Sequence, residues 1–229
     1  MNISEIFFSL QGEGKLTGVP SAFIRTTGCN LRCAWCDTPY TSWDAEKGER
    51  LSGEEVLSRI EGFPTRYVVI TGGEPMLDAD VTPLTALLKE HGYHITLETA
   101  ATLWREVCCD LAGMSPKLSN STPWNREEGR FAEAHEKNRI HLEVIRRFMA
   151  MPDYELKFVI DKPGDLAEVK SLLATLPRVD PANVLLMPQG VTVDELRPKA
   201  DWLVAICQSN GFRYCPRLQI EWFGQRRGT

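Results

Sequence analysis

The 229-residue sequence lacks a long hydrophobic run, and no segment approaches the roughly 20 apolar residues that a membrane-spanning helix needs. It also lacks the basic start and small-residue cleavage pattern of a secretory signal peptide. We therefore expect a cytoplasmic protein with no membrane partner.

The chain has no excess of positive charge. Lysine and arginine number 26 against 31 acidic residues, which gives a formal net charge of -5. Without a basic run, this balance argues against a nucleic-acid partner. Because 43% of the residues are hydrophobic, the chain can bury a sizeable core, and we expect a single domain over residues 1–229.

Cysteines are few, seven in all, and four of them show no ligand spacing. We expect these four to be ordinary buried thiols: Cys108, Cys109, Cys207 and Cys215. The other three, Cys29, Cys33 and Cys36, follow the spacing C-x3-C-x2-C, with Trp35 before the third. Clustered thiols of this kind suit a reducing compartment and metal binding better than a disulfide scaffold.

Three thiolates at this spacing can hold three irons of a cubic four-iron cluster and leave the fourth iron open to a ligand. A structural zinc site would be expected to close with four ligands. No fourth cysteine follows at ligand spacing, and the nearest histidine, His91, lies far down the chain. The pattern favours an iron–sulfur cluster, with a zinc or non-catalytic iron–sulfur module as the alternative.

From Leu51 onward, apolar strands alternate with amphipathic helices, a pattern that predicts right-handed crossovers and a parallel sheet. With few long helices, we expect the α/β class and an incomplete (partial) β/α barrel of about six parallel strands. Residues 214–223 are predicted to be a final strand. The polar residues 119–139 are predicted to form a surface excursion or mobile lid.

Working loops of parallel sheets lie at the carboxyl ends of the strands. We place five stretches there, and we expect them to converge on one site: residues 11–14, 29–36, 71–75, 115–117 and 187–190. Arg25 ends an apolar strand just before the cysteines, so its guanidinium is predicted to point into this site and to offer paired donors to a carboxylate.

The cysteine spacing, together with Thr71-Gly72-Gly73-Glu74-Pro75, resembles the signature of the radical S-adenosylmethionine superfamily. The resemblance implies that Cys29, Cys33 and Cys36 hold a [4Fe-4S] cluster. It also implies that S-adenosyl-L-methionine occupies the open iron and that backbone of the glycine stretch takes its ammonium group.

Further stretches make nearly the whole chain resemble the 7-carboxy-7-deazaguanine synthase family: LQGEG at 10–14, the strand ending in Arg25, CDTPYTSW at 36–43 and SPK at 115–117. That family converts 6-carboxy-5,6,7,8-tetrahydropterin to 7-carboxy-7-deazaguanine with loss of ammonia, in queuosine biosynthesis. The alternative is a glycyl-radical-activating enzyme, which shares the cysteine motif but acts on a protein.

The resemblance implies roles for individual residues, with no catalytic side chain beyond the cofactor. Cofactor contacts are implied for Trp35, Cys36, Asp37, Gly73, Ser115, Pro116, Lys117, Met187, Pro188, Gln189 and Gly190. Substrate contacts are implied for Leu10, Gln11, Gly12, Arg25 and Thr71, and a Mg2+ contact for Thr38. A homodimer and a reductant such as flavodoxin are implied as well.

One residue departs from the family pattern. Gln219 stands where we expect a histidine in many relatives. A glutamine amide can replace one imidazole hydrogen bond, but it cannot carry a proton.

Overall fold

The computed structural model describes residues 1–229 and contains one nine-stranded sheet. Its strands are β1 (Asn2–Leu10), β2 (Pro20–Thr26), β3 (Glu49–Arg50), β4 (Tyr67–Gly72), β5 (His94–Thr99), β6 (Leu111–Met114), β7 (Tyr154–Ile160), β8 (Val184–Pro188) and β9 (Arg213–Tyr214). The helices are α1 (Gly53–Ile60), α2 (Val81–Glu90), α3 (Ala132–Asn138), α4 (Leu142–Met149), α5 (Asp165–Thr175), α6 (Val193–Asn210) and α7 (Leu218–Phe223). No helix is long and apolar enough to cross a membrane.

The strand order is β3-β1-β2-β4-β5-β6-β7-β8-β9, and every neighbouring pair from β2 to β9 is parallel. The edge strands β3 and β9 do not pair, so the sheet curves without closing. The predicted partial barrel is thus confirmed. Six of the parallel strands have four or more residues, and β9 adds a short seventh.

The two faces of the sheet differ in chemistry, as β7 shows. Leu156, Phe158 and Ile160 pack in the main hydrophobic core together with helix residues such as Phe148 and Val169. Because side chains alternate along a strand, the intervening residues of β7 point to the other face. That inner face carries Glu155 and Lys157, which are 0% and 5% exposed.

Local capping signals set two helix starts. Ser52 accepts from the Glu55 amide, and the Glu55 carboxylate accepts from the Ser52 amide, which forms a capping box at α1. Thr192 and Glu195 repeat the arrangement at α6, which ends at Gly211 in the left-handed conformation (φ 69°). These helices begin and end where short-range chemistry predicts.

The predicted strand over residues 214–223 is wrong. β9 stops at Tyr214, and the chain forms the helix α7 from Leu218. Cys215 still donates its amide to Leu186 O at 2.9 Å. Pro216 has no amide hydrogen to continue the ladder, so the pairing ends there.

The prediction that residues 11–14 lie at the same end of the sheet as the other four stretches is also wrong. β1 runs antiparallel to β2, with Leu10 opposite Pro20 and Ile3 opposite Thr26. The carboxyl end of β1 therefore lies beside the amino end of β2. The cysteines follow the carboxyl end of β2, at the other end of the strand. The prediction treated β1 as one of the parallel strands, and apolar periodicity alone does not report strand direction.

Candidate active site

One cavity of about 500 Å³ occupies the interior of the curved sheet. The cysteine loop, defined as residues 29–36, lines this cavity at the carboxyl ends of the parallel strands. Gln11, Gly12 and Glu13 line the same cavity and follow the carboxyl end of β1, which lies beside the amino end of β2. Residues 11–13 thus contribute to the site although they do not lie beside the cysteines. Residues 11–13 and the cysteines are therefore parts of the wall of one cavity.

Most of the residues predicted for the site line this cavity. They are Leu10, Gln11, Gly12, Arg25, Cys29, Cys33, Trp35, Cys36, Asp37, Thr38, Thr71, Gly73, Ser115, Lys117 and Met187. Four predicted cofactor residues do not line it: Pro116, Pro188, Gln189 and Gly190. The side-chain amide oxygen and the carbonyl of Gln189 accept from Lys199 Nζ at 3.0 and 2.8 Å, and Gly190 O accepts from Arg217.

The three cysteines of the loop are free thiols with restricted access to solvent. Burial raises the pKa of Cys29 to about 11 and that of Cys33 to about 12. Gly28, in the left-handed conformation (φ 95°), leads into the loop, and its amide donates to Thr41 O at 2.8 Å. The loop therefore begins at a backbone turn that a side chain would strain.

No group of three or more histidine, cysteine or acidic side chains converges closely enough to hold a single metal ion. In a four-iron cluster each thiolate binds a different iron, so such convergence is not required. All three thiols line the same cavity. The donor set and its arrangement fit a cluster with three thiolate ligands.

The glycine stretch after β4 fits the cofactor through its backbone. A Cβ on Gly73 would lie 2.0 Å from Gly28 O, so only glycine allows this stretch to pack against the cysteine loop. Glu74 is 1% exposed and its carboxylate accepts from Thr99 Oγ1 at 2.7 Å and from the Ala100 amide at 2.8 Å. Its carboxylate thus ties β4 to β5, and the backbone of Gly72 and Gly73 faces the cavity.

Lys117 brings a positive charge to the cysteine end. Its Nζ donates to Ser115 Oγ at 2.6 Å and lies 5.8 Å from the centroid of the Trp35 ring. Both Lys117 and Ser115 line the cavity. A cation and a hydroxyl at this place can bind a carboxylate or a ribose hydroxyl.

Arg25, next to the carboxyl end of β2, lines the cavity. Its Nε donates to Glu5 Oε1 at 2.6 Å, and Tyr40 Oη donates to the same oxygen at 3.1 Å. The Arg25 side chain is 17% exposed and stacks over the Phe7 ring, with Cζ 5.6 Å from the centroid. Because Glu5 engages only Nε, the terminal nitrogens of the guanidinium remain free for a ligand.

A network of charged side chains lines the cavity, and of its members only Gln219 and the stretch 11–14, which contains Glu13, were singled out from the sequence. Lys157 Nζ lies 2.9 Å from Glu13 Oε2 and 3.0 Å from Glu98 Oε2. Arg217 Nε lies 3.0 Å from Glu13 Oε1, which also accepts from Gln219 Nε2 at 2.6 Å. Glu13 is thus fully paired, whereas Glu98 Oε1 accepts no hydrogen bond from the chain.

Electrostatics keep Glu13 and Lys157 ionised. Burial would raise the pKa of Glu13, but the charges of Lys157 and Arg217 outweigh it and hold that pKa well below its usual range. Burial would lower the pKa of Lys157, and Glu98 and Glu13 reverse that effect. The signal for Lys157 was the alternation Glu155-Leu156-Lys157-Phe158, which places charge on one face of a buried strand.

The C-terminal residues 224–229 contribute to the cavity wall. Gln225 Nε2 donates to Asp37 O at 3.2 Å, and the Arg227 guanidinium stacks on the Tyr40 ring at 3.5 Å from its centroid. Asp37 is also ion-paired with Arg217. The basic tail therefore packs beside the cysteine loop.

Comparisons with known proteins agree with this geometry. Residues 23–119 match the model of the radical SAM superfamily. The chain is 42% identical over 228 residues to the 7-carboxy-7-deazaguanine synthase of Rhodopirellula baltica, with 99% of this chain and 88% of that one covered. It is 40% identical over 228 residues to the synthase of the same name from Halobacterium salinarum, at 95% and 88% coverage.

A solved structure extends the agreement to three dimensions. The crystal structure of QueE from Escherichia coli matches with a TM-score of 0.69 and 30% identity, over 93% of this chain and 92% of that one. Streptococcus suis SuiB bound to S-adenosylmethionine, at 11% identity and a TM-score of 0.55, shares the fold, with 86% of this chain and 53% of that one covered. By sequence and by fold, the chain belongs to the 7-carboxy-7-deazaguanine synthase family of the radical S-adenosylmethionine superfamily.

Proposed function

We propose that this protein converts 6-carboxy-5,6,7,8-tetrahydropterin to 7-carboxy-7-deazaguanine with loss of ammonia, in queuosine and 7-deazapurine biosynthesis. One observation carries the proposal: a single cavity contains the three cysteines, Arg25 and the partly buried carboxylates Glu13 and Glu98. Cysteines alone would also suit a glycyl-radical-activating enzyme. The arginine and carboxylates supply partners for a small polar substrate.

Cys29, Cys33 and Cys36 are proposed to hold the cluster, and Gly73, Ser115 and Lys117 to contact S-adenosyl-L-methionine. When bound, these cofactors supply radical hydrogen-atom abstraction, which protein side chains cannot perform. The remaining contribution of the chain is binding and orientation.

Arg25 is proposed to bind the substrate carboxylate. Its terminal nitrogens are free, and a guanidinium matches a carboxylate with two parallel hydrogen bonds. Glu5 and Tyr40 hold the guanidinium in place. The substrate carboxylate would then be held at a fixed position in the cavity.

Glu98 is proposed to accept from the amino edge of the pterin ring. That edge presents neighbouring N–H donors, and a carboxylate oxygen without a partner is the group that can accept from them. Glu98 Oε2 is engaged by Lys157 at 3.0 Å, while Oε1 accepts nothing from the chain. Glu13 is less suited because Lys157, Arg217 and Gln219 already occupy both of its oxygens.

Thr38 is proposed to contribute a hydroxyl to Mg2+, together with oxygens of the substrate and water. It precedes the 3-10 turn Pro39–Thr41, but its side chain makes no capping hydrogen bond. Thr38 lines the cavity, and its Oγ1 accepts from Thr41 Oγ1 at 3.4 Å. A hard cation such as Mg2+ prefers oxygen ligands of this kind.

The family resemblance also supports three further proposals: a homodimer, a cytoplasmic location and reduction by a flavodoxin-type protein. The continuous sheet supports one domain over residues 1–229. Sedimentation of the reconstituted protein tests the dimer.

Anaerobic turnover tests the central proposal. The reconstituted protein is incubated with reductant, S-adenosyl-L-methionine, Mg2+ and 6-carboxytetrahydropterin, and the product mass is measured. We expect 7-carboxy-7-deazaguanine from the parent and none from Cys33→Ala. Absence of this product, with a radical formed instead on a protein partner, would favour the activating-enzyme alternative.

A further inference from the structure

Residues 119–139 were expected to be a surface excursion or mobile lid, and we name residues 118–135 the covering segment. The covering segment packs directly on the cysteine loop. Ala34 donates its amide to Ser121 O at 2.7 Å, and Trp35 Nε1 donates to Asn120 O at 3.0 Å. Trp35 of the cysteine loop thus bonds to a residue that lies 85 positions later in the chain.

His135, on α3, makes a further contact between the covering segment and the cysteine loop. Its Nδ1 accepts from the Arg32 amide at 3.1 Å, and its Nε2 lies 2.9 Å from Ser121 Oγ. Ser121 Oγ in turn donates to Leu118 O at 2.6 Å. Because Nδ1 accepts, the neutral ring carries its hydrogen on Nε2 and donates it to Ser121. The hydrogen bonds run in one direction from Arg32 to Leu118.

This chain of hydrogen bonds is buried. His135 is 2% exposed and Ser121 is 0% exposed. Burial lowers the pKa of His135 to about 4, with Arg139 and Lys117 acting in the same direction and Glu136 opposing. The imidazole is therefore neutral at physiological pH.

The two amides that the covering segment binds flank one cysteine. Arg32 precedes Cys33 and Ala34 follows it. The Arg32 guanidinium also donates to Cys29 O at 2.7 Å and stacks over the Phe131 ring, with Cζ 5.5 Å from the centroid. An unpaired backbone donor in a buried place is costly, so removing the acceptor of the Arg32 amide should loosen the backbone beside Cys33.

We propose that His135 is a positioning residue for the iron–sulfur cluster. By accepting from the Arg32 amide while donating to Ser121, it holds the backbone on both sides of Cys33 in place and so slows loss of iron. The inference rests on the cluster assignment and is independent of which substrate the enzyme uses.

The test compares four anaerobically reconstituted proteins: the parent, His135→Leu, His135→Asn and Thr85→Val. Thr85 is the matched control, because it is 0% exposed and accepts from the Cys108 amide at 3.1 Å on α2, away from the cysteine loop. The rate of iron release to a chelator is measured, together with the thermal midpoint of each cluster-free protein.

His135→Leu removes the acceptor and should release iron about tenfold faster than the parent, the effect expected for one lost buried hydrogen bond. His135→Asn should restore a rate near that of the parent, since its amide oxygen can take the place of Nδ1. Thr85→Val should lower the thermal midpoint without changing iron release.

Two outcomes would overturn the proposal: a parent-like release rate in His135→Leu, or equal acceleration in His135→Leu and Thr85→Val. Should His135→Leu fail to fold, Ser121→Ala removes the partner of Nε2 and keeps the ring. It should accelerate iron release by a smaller factor, and an unchanged rate there would likewise overturn the proposal. Because iron release needs no substrate, failure of the proposed reaction would leave this result intact.

Discussion

Glu5 Oε1 accepts a hydrogen bond from Arg25 Nε at 2.6 Å, across the antiparallel pair of β1 and β2. The two residues face each other in register, and Tyr40 Oη donates to the same carboxylate oxygen at 3.1 Å. Arg25 is therefore held at Nε while its terminal nitrogens face the cavity. Two predictions depend on this pairing.

Replacing Arg25 with lysine keeps the charge and removes the paired donors. A charge-assisted hydrogen bond is worth roughly 1.5–3 kcal/mol, so substrate affinity should fall by about tenfold to a hundredfold. Equilibrium binding of substrate and of S-adenosyl-L-methionine is measured on the same protein, and the latter should be spared. Equal losses for both ligands would assign Arg25 to the fold or to the cofactor.

Replacing Glu5 with glutamine keeps an acceptor for Arg25 Nε and removes the negative charge. The pair is 17% and 18% exposed, so solvent screens it little, and we expect substrate affinity to fall by roughly twofold to tenfold. Glu49→Gln is the control, since Glu49 pairs with Arg59 on the surface at 2.6 Å. Unchanged affinity in Glu5→Gln would show that Arg25 is oriented without it.

Replacing Cys29, Cys33 or Cys36 with alanine, one at a time, should abolish the cluster, because each thiolate is proposed to hold one iron. Iron and sulfide content after anaerobic reconstitution, with the visible absorption of the cluster, is the measurement. Cys207→Ala alters a buried thiol outside the loop and should bind iron as the parent does. A full cluster in Cys33→Ala would place the iron site elsewhere.

Because of Glu155, the free energy of unfolding of the protein should fall as the pH rises. Burial, with the nearby charge of Glu98 acting in the same direction, raises its pKa to about 7. A carboxyl group whose pKa is higher in the folded state contributes stability that is fully present below its unfolded pKa and is lost as pH rises through the folded value. The loss should therefore occur between about pH 4.5 and pH 7.

Glu155→Gln removes this titration. The free energy of unfolding of Glu155→Gln should exceed that of the parent by an amount that grows across this pH range. At the upper end of the range the difference should be on the order of 1–3 kcal/mol. Denaturant unfolding of the cluster-free proteins at each pH is the measurement, with the exposed Glu133→Gln as control. A parent-like pH profile in Glu155→Gln would mean that Glu155 is ionised in the folded protein.

Thr38→Ala should raise the magnesium concentration required for activity, whereas Thr38→Ser should largely preserve it. The serine variant retains the hydroxyl that we propose as a ligand, and the alanine variant does not. Initial rates over a range of magnesium concentrations distinguish the two. If the alanine variant has the same magnesium dependence as the parent, Thr38 is not a ligand.

Short-range patterns in the sequence predicted a large share of this protein. The spacing of Cys29, Cys33 and Cys36 indicated the cluster, since ligands this close in sequence can meet through one local loop. Capping residues such as Ser52 and Thr192 marked helix starts for the same reason. Alternating strands and helices indicated the partial barrel, because a parallel sheet requires crossover connections.

Only the tertiary structure decided the charged network of the cavity and the support of the cysteine loop. Lys157 pairs with Glu13 across 144 positions and Arg217 with Asp37 across 180. His135 reaches Arg32 across 103. Hydrophobic periodicity reports which face of a strand or helix is buried, but neither the direction of β1 nor the order of strands in the sheet. Those two features of the sheet bring these side chains into contact.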